Sequence, residues 1–294
     1  MRWTLAQFQM QPVKAHVDAN IARVVDGLCT AAVRDVALAC FPEACLSGYF
    51  LQGGVEEVAL QADEVVQRLQ SGLVAQCPDA MIDVCLGFYE RDGGAIYNSA
   101  LYARLGRDAP GRPVGLAHLH RKIFPPSYGV FDEDRFVTRG RSVECFDTAF
   151  GRAAILVCED AWHSICGTIA ALQGAEVILI PSASPGRDLR EERPGNVRAW
   201  DNVCMMLAGE HGCWVACTDL LGFEGGKAFC GISTVHNPFG QRVSSGPMFE
   251  EAMVLTEIDT HDTTVARRRT PLIGGLQETI SVLLAQLSSA AGGD

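Results

Sequence analysis

Ala153-Ala154-Ile155-Leu156-Val157-Cys158-Glu159-Asp160-Ala161-Trp162-His163 joins a continuous apolar run to an abruptly polar stretch. The run predicts a strand from Ala153 to Cys158 covered on both faces. The polar residues after it predict a loop at the strand's carboxyl end, where functional side chains collect. A cysteine at a sharp strand-to-helix turn would expose its sulfur and bring backbone N–H groups near any carbonyl it attacks. Taken alone, a cysteine in this setting is more often a small core side chain.

The same alternation extends in both directions. Upstream, Thr4 to Phe8 reads as a strand, Asp18 caps a helix with apolar residues at Ile21, Val24, Val25, Leu28, Ala31 and Ala32, and Val36 to Phe41 reads as a buried strand. Glu57 to Leu73 is helical, and strands Asp83 to Tyr89 and Tyr97 to Ala103 join through Asp92-Gly93-Gly94. Downstream come a helix from Ser164 to Leu172, a strand from Val177 to Ile180, a helix from Asn196 to Glu210 and a strand from Cys213 to Cys217. A hairpin about Asn237-Pro238-Phe239-Gly240, a strand from Met253 to Ile258 and a helix from Leu276 to Leu287 complete the set. Strands alternating with helices predict one α/β domain with helices covering sheets. Periodicity leaves open whether there is one sheet or two.

Composition removes several classes of function. A chain of 294 residues, 48% hydrophobic and 20% charged, is an ordinary globular protein, neither disordered nor collagen-like. A net charge of −11 disfavours nucleic acid and anionic membranes, which both need a basic surface. No apolar run reaches the about eighteen residues of a membrane span, and the opening Met1 to Met10 turns polar too soon for a signal peptide. The expectation is a cytoplasmic protein whose twelve cysteines are mostly core side chains rather than disulfides. No C-x-x-C pair occurs, and His118, His120 and His163 lack a third ligand at suitable spacing, so no metal is expected. The Arg267-Arg268-Arg269 run is expected to be solvated or in a subunit contact.

Two other segments carry chemistry. Glu43, in Phe41-Pro42-Glu43-Ala44-Cys45-Leu46-Ser47-Gly48-Tyr49, follows an apolar strand. Burial there would raise its pKa and suit a general base; a solvated loop glutamate is the alternative. Lys122, in His120-Arg121-Lys122-Ile123-Phe124-Pro125-Pro126-Ser127-Tyr128-Gly129-Val130-Phe131-Asp132-Glu133, precedes two prolines and three aromatics. A lysine fixed in such a loop could stabilise an oxyanion or a thiolate; a surface lysine is the alternative.

In this order, F-P-E before a G-Y pair, H-R-K ahead of Y-G-x-F-x-E, and a strand ending in C-E-D-x-W resemble the nitrilase, or carbon–nitrogen hydrolase, superfamily. Supporting segments are the Ala-Gln-Phe of the opening strand, Tyr97-Asn98-Ser99-Ala100, Pro181-Ser182-Ala183-Ser184-Pro185, and Gly231-Ile232-Ser233 leading to Asn237-Pro238-Phe239-Gly240. The resemblance implies a four-layer α-β-β-α sandwich over residues 1–262, with 263–294 as an extension against a partner subunit in a homodimer or higher homo-oligomer. It implies Glu43 as general base, Lys122 as transition-state stabiliser, Cys158 as nucleophile and Glu133 as a second active-site glutamate, with no cofactor. The Glu159 N–H would complete an oxyanion site.

Tyr49, Tyr128, Trp162 and Arg187 lie near motifs and are candidates for the pocket wall, with packing the alternative for the aromatics. Ser182 and Ser184 are candidates for holding substrate, with loop capping the alternative. The C-E-D-x-W form resembles the glutaminase domains of glutamine-dependent NAD synthetases. No P-loop or Ser-Gly-Gly pyrophosphatase motif of an ATP-using domain occurs, so the expectation is a stand-alone amidase acting on a small amide, its ammonia released or passed to a separate enzyme. Rival readings are an N-carbamoyl amide hydrolase, a nitrilase, and a non-catalytic binding or regulatory homologue.

Overall fold

The computed structural model describes residues 1–51, 53–187 and 194–292. In chain order the elements are β1 (Arg2–Gln9), α1 (Val17–Ala32), β2 (Leu38–Cys40), α2 (Val55–Val58), α3 (Ala62–Gln76), β3 (Met81–Asp92), β4 (Ala95–Gly106), β5 (Gly115–Arg121), β6 (Cys145–Thr148) and β7 (Gly151–Ile155). There follow α4 (Ser164–Leu172), β8 (Val177–Ser182), α5 (Gly195–His211), β9 (Trp214–Asp219), β10 (Leu221–Glu224), β11 (Lys227–Cys230), β12 (Thr234–His236), β13 (Arg242–Ser245), β14 (Ala252–Asp259), α6 (His261–Arg269) and α7 (Leu272–Ala290).

Two six-stranded sheets result, in the orders β14-β1-β2-β3-β4-β5 and β13-β12-β9-β8-β7-β6. Their strand directions match. Reading the first from β14 and the second from β6, each runs antiparallel, parallel, parallel, antiparallel, antiparallel. No repeat is visible in the sequence; the repetition is one of topology. Helices α1 and α3 bury Ile21, Val24, Leu28, Val65, Leu69 and Leu73 with one face of the first sheet. Leu5, Leu38, Cys40 and Tyr102 on its other face join the core of the second sheet, which also takes in Cys166, Ala170, Cys204 and Leu207 of α4 and α5. The layers are therefore α-β-β-α, a sandwich of the nitrilase type, as the resemblance implied.

Local details depart from the pattern reading. Asp18 lies inside the first turn of α1 and makes no cap; it pairs with Arg68 of α3. Strands β5, β6, β10 and β11 were not foreseen, because each is short or half-exposed and lacks a clean alternation. Arg268 and Arg269 are exposed, as expected of a solvated run, whereas Arg267 is half-buried and its guanidinium donates to the carbonyls of His211 and Ala175 at 3.1 and 2.5 Å. Thr263 and Ala266 of α6 are buried, whereas α7 buries none of its residues. Among the described residues no helix is long and apolar enough to cross a membrane.

Candidate active site

Parallel strands place their carboxyl ends together, and ligand sites form just beyond such ends. Glu43 follows β2. The two antiparallel steps from β3 through β4 return β5 to the direction of β3, so Lys122, just after β5, emerges at the same end. In the second sheet Cys158 follows β7, while Ser182 and Asp219 terminate β8 and β9.

Backbone contacts hold the first group. Gly87 N–H donates to Pro42 and its carbonyl accepts from Cys45, so β3 grips the chain on both sides of Glu43. A Cβ at Gly87 would come within 2.5 Å of the Glu43 Cα, so only glycine permits this approach. Lys122 N–H donates to the Asn98 carbonyl at 2.8 Å, fixing the lysine against β4.

The side chains then converge. Lys122 Nζ lies 2.7 Å from Glu43 Oε1 and 2.8 Å from Glu133 Oε2. Asn98 Nδ2 donates to Glu43 Oε1 and Glu133 Oε1, each at 2.7 Å, and Tyr49 Oη donates to Glu133 Oε2 at 2.5 Å. All five side chains are buried. Burial alone would neutralise the lysine, but the Glu133 and Glu43 carboxylates outweigh it and hold the ammonium well above the ordinary lysine range. Burial pushes Glu43 up to about 7, with Lys122 opposing and Glu133 adding to the rise. Glu43 Oε2 has no hydrogen-bond partner among the described residues, leaving a lone pair free to take a proton.

Cys158 opens a 3-10 turn (Cys158–Trp162) at φ 46°, the sharp turn expected after the strand. Its sulfur is not exposed as the sequence suggested: the residue is 8% accessible. Burial and the Glu43 charge drive the thiol pKa well above its ordinary value, and Lys122, the Ala183 N–H and the Ser182 hydroxyl only partly oppose them. The resting group is therefore a thiol, and the lysine does not by itself make a thiolate.

Asp160 and His120 tie the two halves together. Asp160 is fully buried; Oδ1 accepts from the N–H groups of Ile123 and Phe124, both at 3.0 Å, and Oδ2 meets His120 Nε2 at 2.8 Å and the Val157 N–H at 3.2 Å. The nucleophile turn and the lysine segment thus share one carboxylate. Sequence reading gave Asp160 and Asn98 no role, since only C-E-D and Tyr-Asn-Ser as strings drew attention to them.

The remaining candidates separate. Ser182 is buried beside the sulfur, its Oγ 3.6 Å from Cys158 Sγ. Ser184 is turned away and accepts from Asn196 Nδ2 at 3.1 Å. At the rim, Tyr128 Oη reaches both oxygens of Glu159 at 2.9 Å, and the Arg187 guanidinium stands 5.4 Å from the Phe131 ring centroid. Trp162 packs edge-on against Trp200 and is half-exposed. A cavity of about 350 Å³ adjoins Glu133, walled by Tyr49, Tyr89 and Phe136 and flanked by Arg135 and Lys227. His118 stacks on Phe146 and His163 on Phe124. Among the described residues no three His, Cys, Asp or Glu side chains converge as a metal set.

The arrangement has relatives. The chain is 25% identical over 269 residues to the glutamine-dependent NAD(+) synthetase of Thermotoga maritima, covering 88% of this chain but only 42% of that protein. It thus spans under half the length of that curated relative. It is 24% identical to a nitrilase of Pyrococcus abyssi, with 87% and 90% of the two chains covered. The crystal structure of a carbon-nitrogen hydrolase from Helicobacter pylori G27 superposes with a TM-score of 0.79 at 22% identity, over 96% of this chain and 99% of that one, and shares its fold. A carbon-nitrogen hydrolase family model matches residues 4–268, and the chain belongs to that family.

Proposed function

We propose that the protein hydrolyses a primary carboxamide through a thioester on Cys158. The observation that carries this reading is the buried Lys122 ammonium clamped between Glu43 and Glu133, its charge and that of Glu43 acting directly on the Cys158 thiol. Glu43 takes the thiol proton as sulfur attacks the amide carbon. Lys122, with the Glu159 N–H, steadies the oxyanion; one such donor is worth about 2.7–4 kcal/mol of barrier. The C–N bond breaks as Glu43 returns the proton to the departing ammonia. Water then adds to the thioester, giving its proton to Glu43, and the carboxylic acid leaves as the thiol reforms. Glu133 acts by holding Lys122.

A carboxylate near pKa 7 suits this shuttle, because it can both take and return a proton near neutrality. Ammonia release is expected to rise with pH through about 7 as Glu43 ionises. The amide preference is supported by the relative that draws on glutamine; the nitrilase relative makes nitriles the rival substrate. Measuring ammonia release from primary amides, N-carbamoyl compounds and nitriles tests the reading. Turnover of nitriles or carbamoyl compounds alone would replace it, and full activity in Cys158→Ala would end it.

The same reading extends to assembly. Ile165 and Ile169 on α4 and Met205 and Met206 on α5 are exposed apolar side chains on one helical layer, which supports a second copy packing there. Light scattering of the intact protein checks the mass.

A further inference from the structure

Ser182 and Asp219 are direct partners across the parallel strands β8 and β9. Ser182 is wholly buried, and its Oγ donates to Cys158 Sγ at 3.6 Å. The same hydroxyl bears on the Asp219 carboxyl, as does the Ser184 N–H. A hydroxyl has one hydrogen, so Ser182 can give it to the sulfur or to the carboxylate, not to both. Asp219 is itself buried, and its Oδ1 has no hydrogen-bond partner among the described residues. The reaction set out above makes no use of it.

We propose that Asp219 is a positioning residue that acts through Ser182, its protonation state deciding whether the hydroxyl donates to Cys158 Sγ or accepts from it. With Asp219 protonated, its O–H donates to Ser182 Oγ and Ser182 donates to the sulfur, which steadies a thiolate. With Asp219 ionised, Ser182 turns its hydrogen to the carboxylate and presents a lone pair to the sulfur, which steadies the thiol.

The surroundings allow both states. Burial is the main influence on the Asp219 carboxyl and raises it to about 7, with Glu43 adding to the rise while Ser182, Cys217 and Ser184 oppose it. Cys217 Sγ lies 3.7 Å from Oδ2, Cys230 of β11 feels the Asp219 charge, and Cys158 stands beyond Ser182. Across a small cavity that Asp219 also lines lie Asp201 of α5 and Arg242 of β13. These two pair with each other at 3.2 Å, and Asp201 also holds His236.

The consequence for turnover rests on Cys158 being the nucleophile, but the hydrogen-bond direction can be read on the thiol alone. The test is the rate of Cys158 alkylation by iodoacetamide, located by peptide mass mapping, against pH in the intact protein. Asp219→Asn supplies a permanent donor to Ser182. It should speed alkylation roughly tenfold above about pH 8, where the wild-type carboxyl is ionised. Removing a negative charge would also speed it, so Asp219→Asn is repeated with Ser182→Ala, where the gain should vanish. A gain that survives in the double variant, or no gain in the single one, overturns the proposal. If Asp219→Asn does not fold, Ser182→Ala alone decides. It should slow alkylation about tenfold near pH 6 and speed it above about pH 8, where the hydroxyl steadies the thiol; slowing at every pH overturns the proposal. Ammonia release by Cys158→Ala reports separately on the nucleophile, so either reading can fail without the other.

Discussion

The two sheets repeat one pattern of strand directions yet end in opposite kinds of chemistry. Beyond the first, charge is dense and compensated: one ammonium, two carboxylates, an amide and a phenol satisfy one another in a buried cluster. Beyond the second, a neutral thiol, a hydroxyl and a carboxyl whose Oδ1 has no hydrogen-bond partner among the described residues sit with little compensation. A buried charge is tolerated only with partners, so the first group depends on its members for stability as well as for proton transfer. A thiol needs no counterion, so the second group can be tuned by burial alone.

This contrast breaks most visibly when one member is removed from each side. Cys158→Ala should lower ammonia release by at least about 10⁴-fold while leaving thermal unfolding nearly unchanged. Lys122→Met should lose as much activity and also destabilise the protein by about 3–5 kcal/mol, because two buried carboxylates lose their cation. Denaturant unfolding with parallel activity assays separates the two. A Lys122→Met protein as stable as wild type would show that the first cluster is not held by its charges.

The next effect lies at the seam. Asp160 belongs to the second half but accepts N–H bonds from Ile123 and Phe124 of the first. Asp160→Ala should cost about 3 kcal/mol, since several buried donors lose one acceptor at once. It should also lower kcat through misplacement of Lys122 against Cys158. A loss of stability with kcat intact would mean that the carboxylate braces the fold without aligning the halves.

The seam also marks where reading from sequence ends. Glu43 and Cys158 were legible because each follows an apolar run, Lys122 because two prolines and three aromatics follow it, and Glu133 because the family resemblance implies a second glutamate beyond the lysine. Asn98 was not, because an asparagine inside a strand gives no sign that both its backbone and its amide face one site. Asp219 was hidden for the same reason: its partner Ser182 is 37 positions away and meets it only through the β8–β9 register. The layer order followed from family resemblance, whereas the doubled topology needed strand pairings that no periodicity reveals. The sulfur's burial reversed the expectation of a lysine-activated thiolate, since desolvation from side chains distant in sequence outweighs one neighbouring charge.

A smaller effect compares the carboxyls of the two sides. The folded-state pKa of Asp219 is raised from 3.8 to about 7. Between these values the folded protein keeps a proton that the unfolded chain has lost, so stability falls as pH rises and levels off above about 7. Asp219→Asn lacks this slope. Between about pH 5.5 and 7 wild type should lose roughly 2 kcal/mol relative to the variant, read from urea unfolding at several pH values. Parallel curves would mean that Asp219 stays ionised throughout. Glu43→Gln should show a similar difference over the same range, because burial, even opposed by Lys122, holds its carboxyl at about 7 as well.

The smallest effect is expected at the rim, where Tyr128 of the first half meets Glu159 of the second. This contact resembles the Asp160 seam in joining the halves, but Tyr128 is 51% exposed and water can replace its hydroxyl. Tyr128→Phe should therefore leave stability within about 0.5 kcal/mol of wild type. If Glu159 and Tyr128 wall the substrate pocket, freeing the carboxylate alters binding before chemistry, and KM should rise a few-fold with kcat unchanged. A fall in kcat at constant KM would place the contact in the catalytic step instead. It would then make the exposed bridge, and not the buried one, the joint that aligns the thiol with its base.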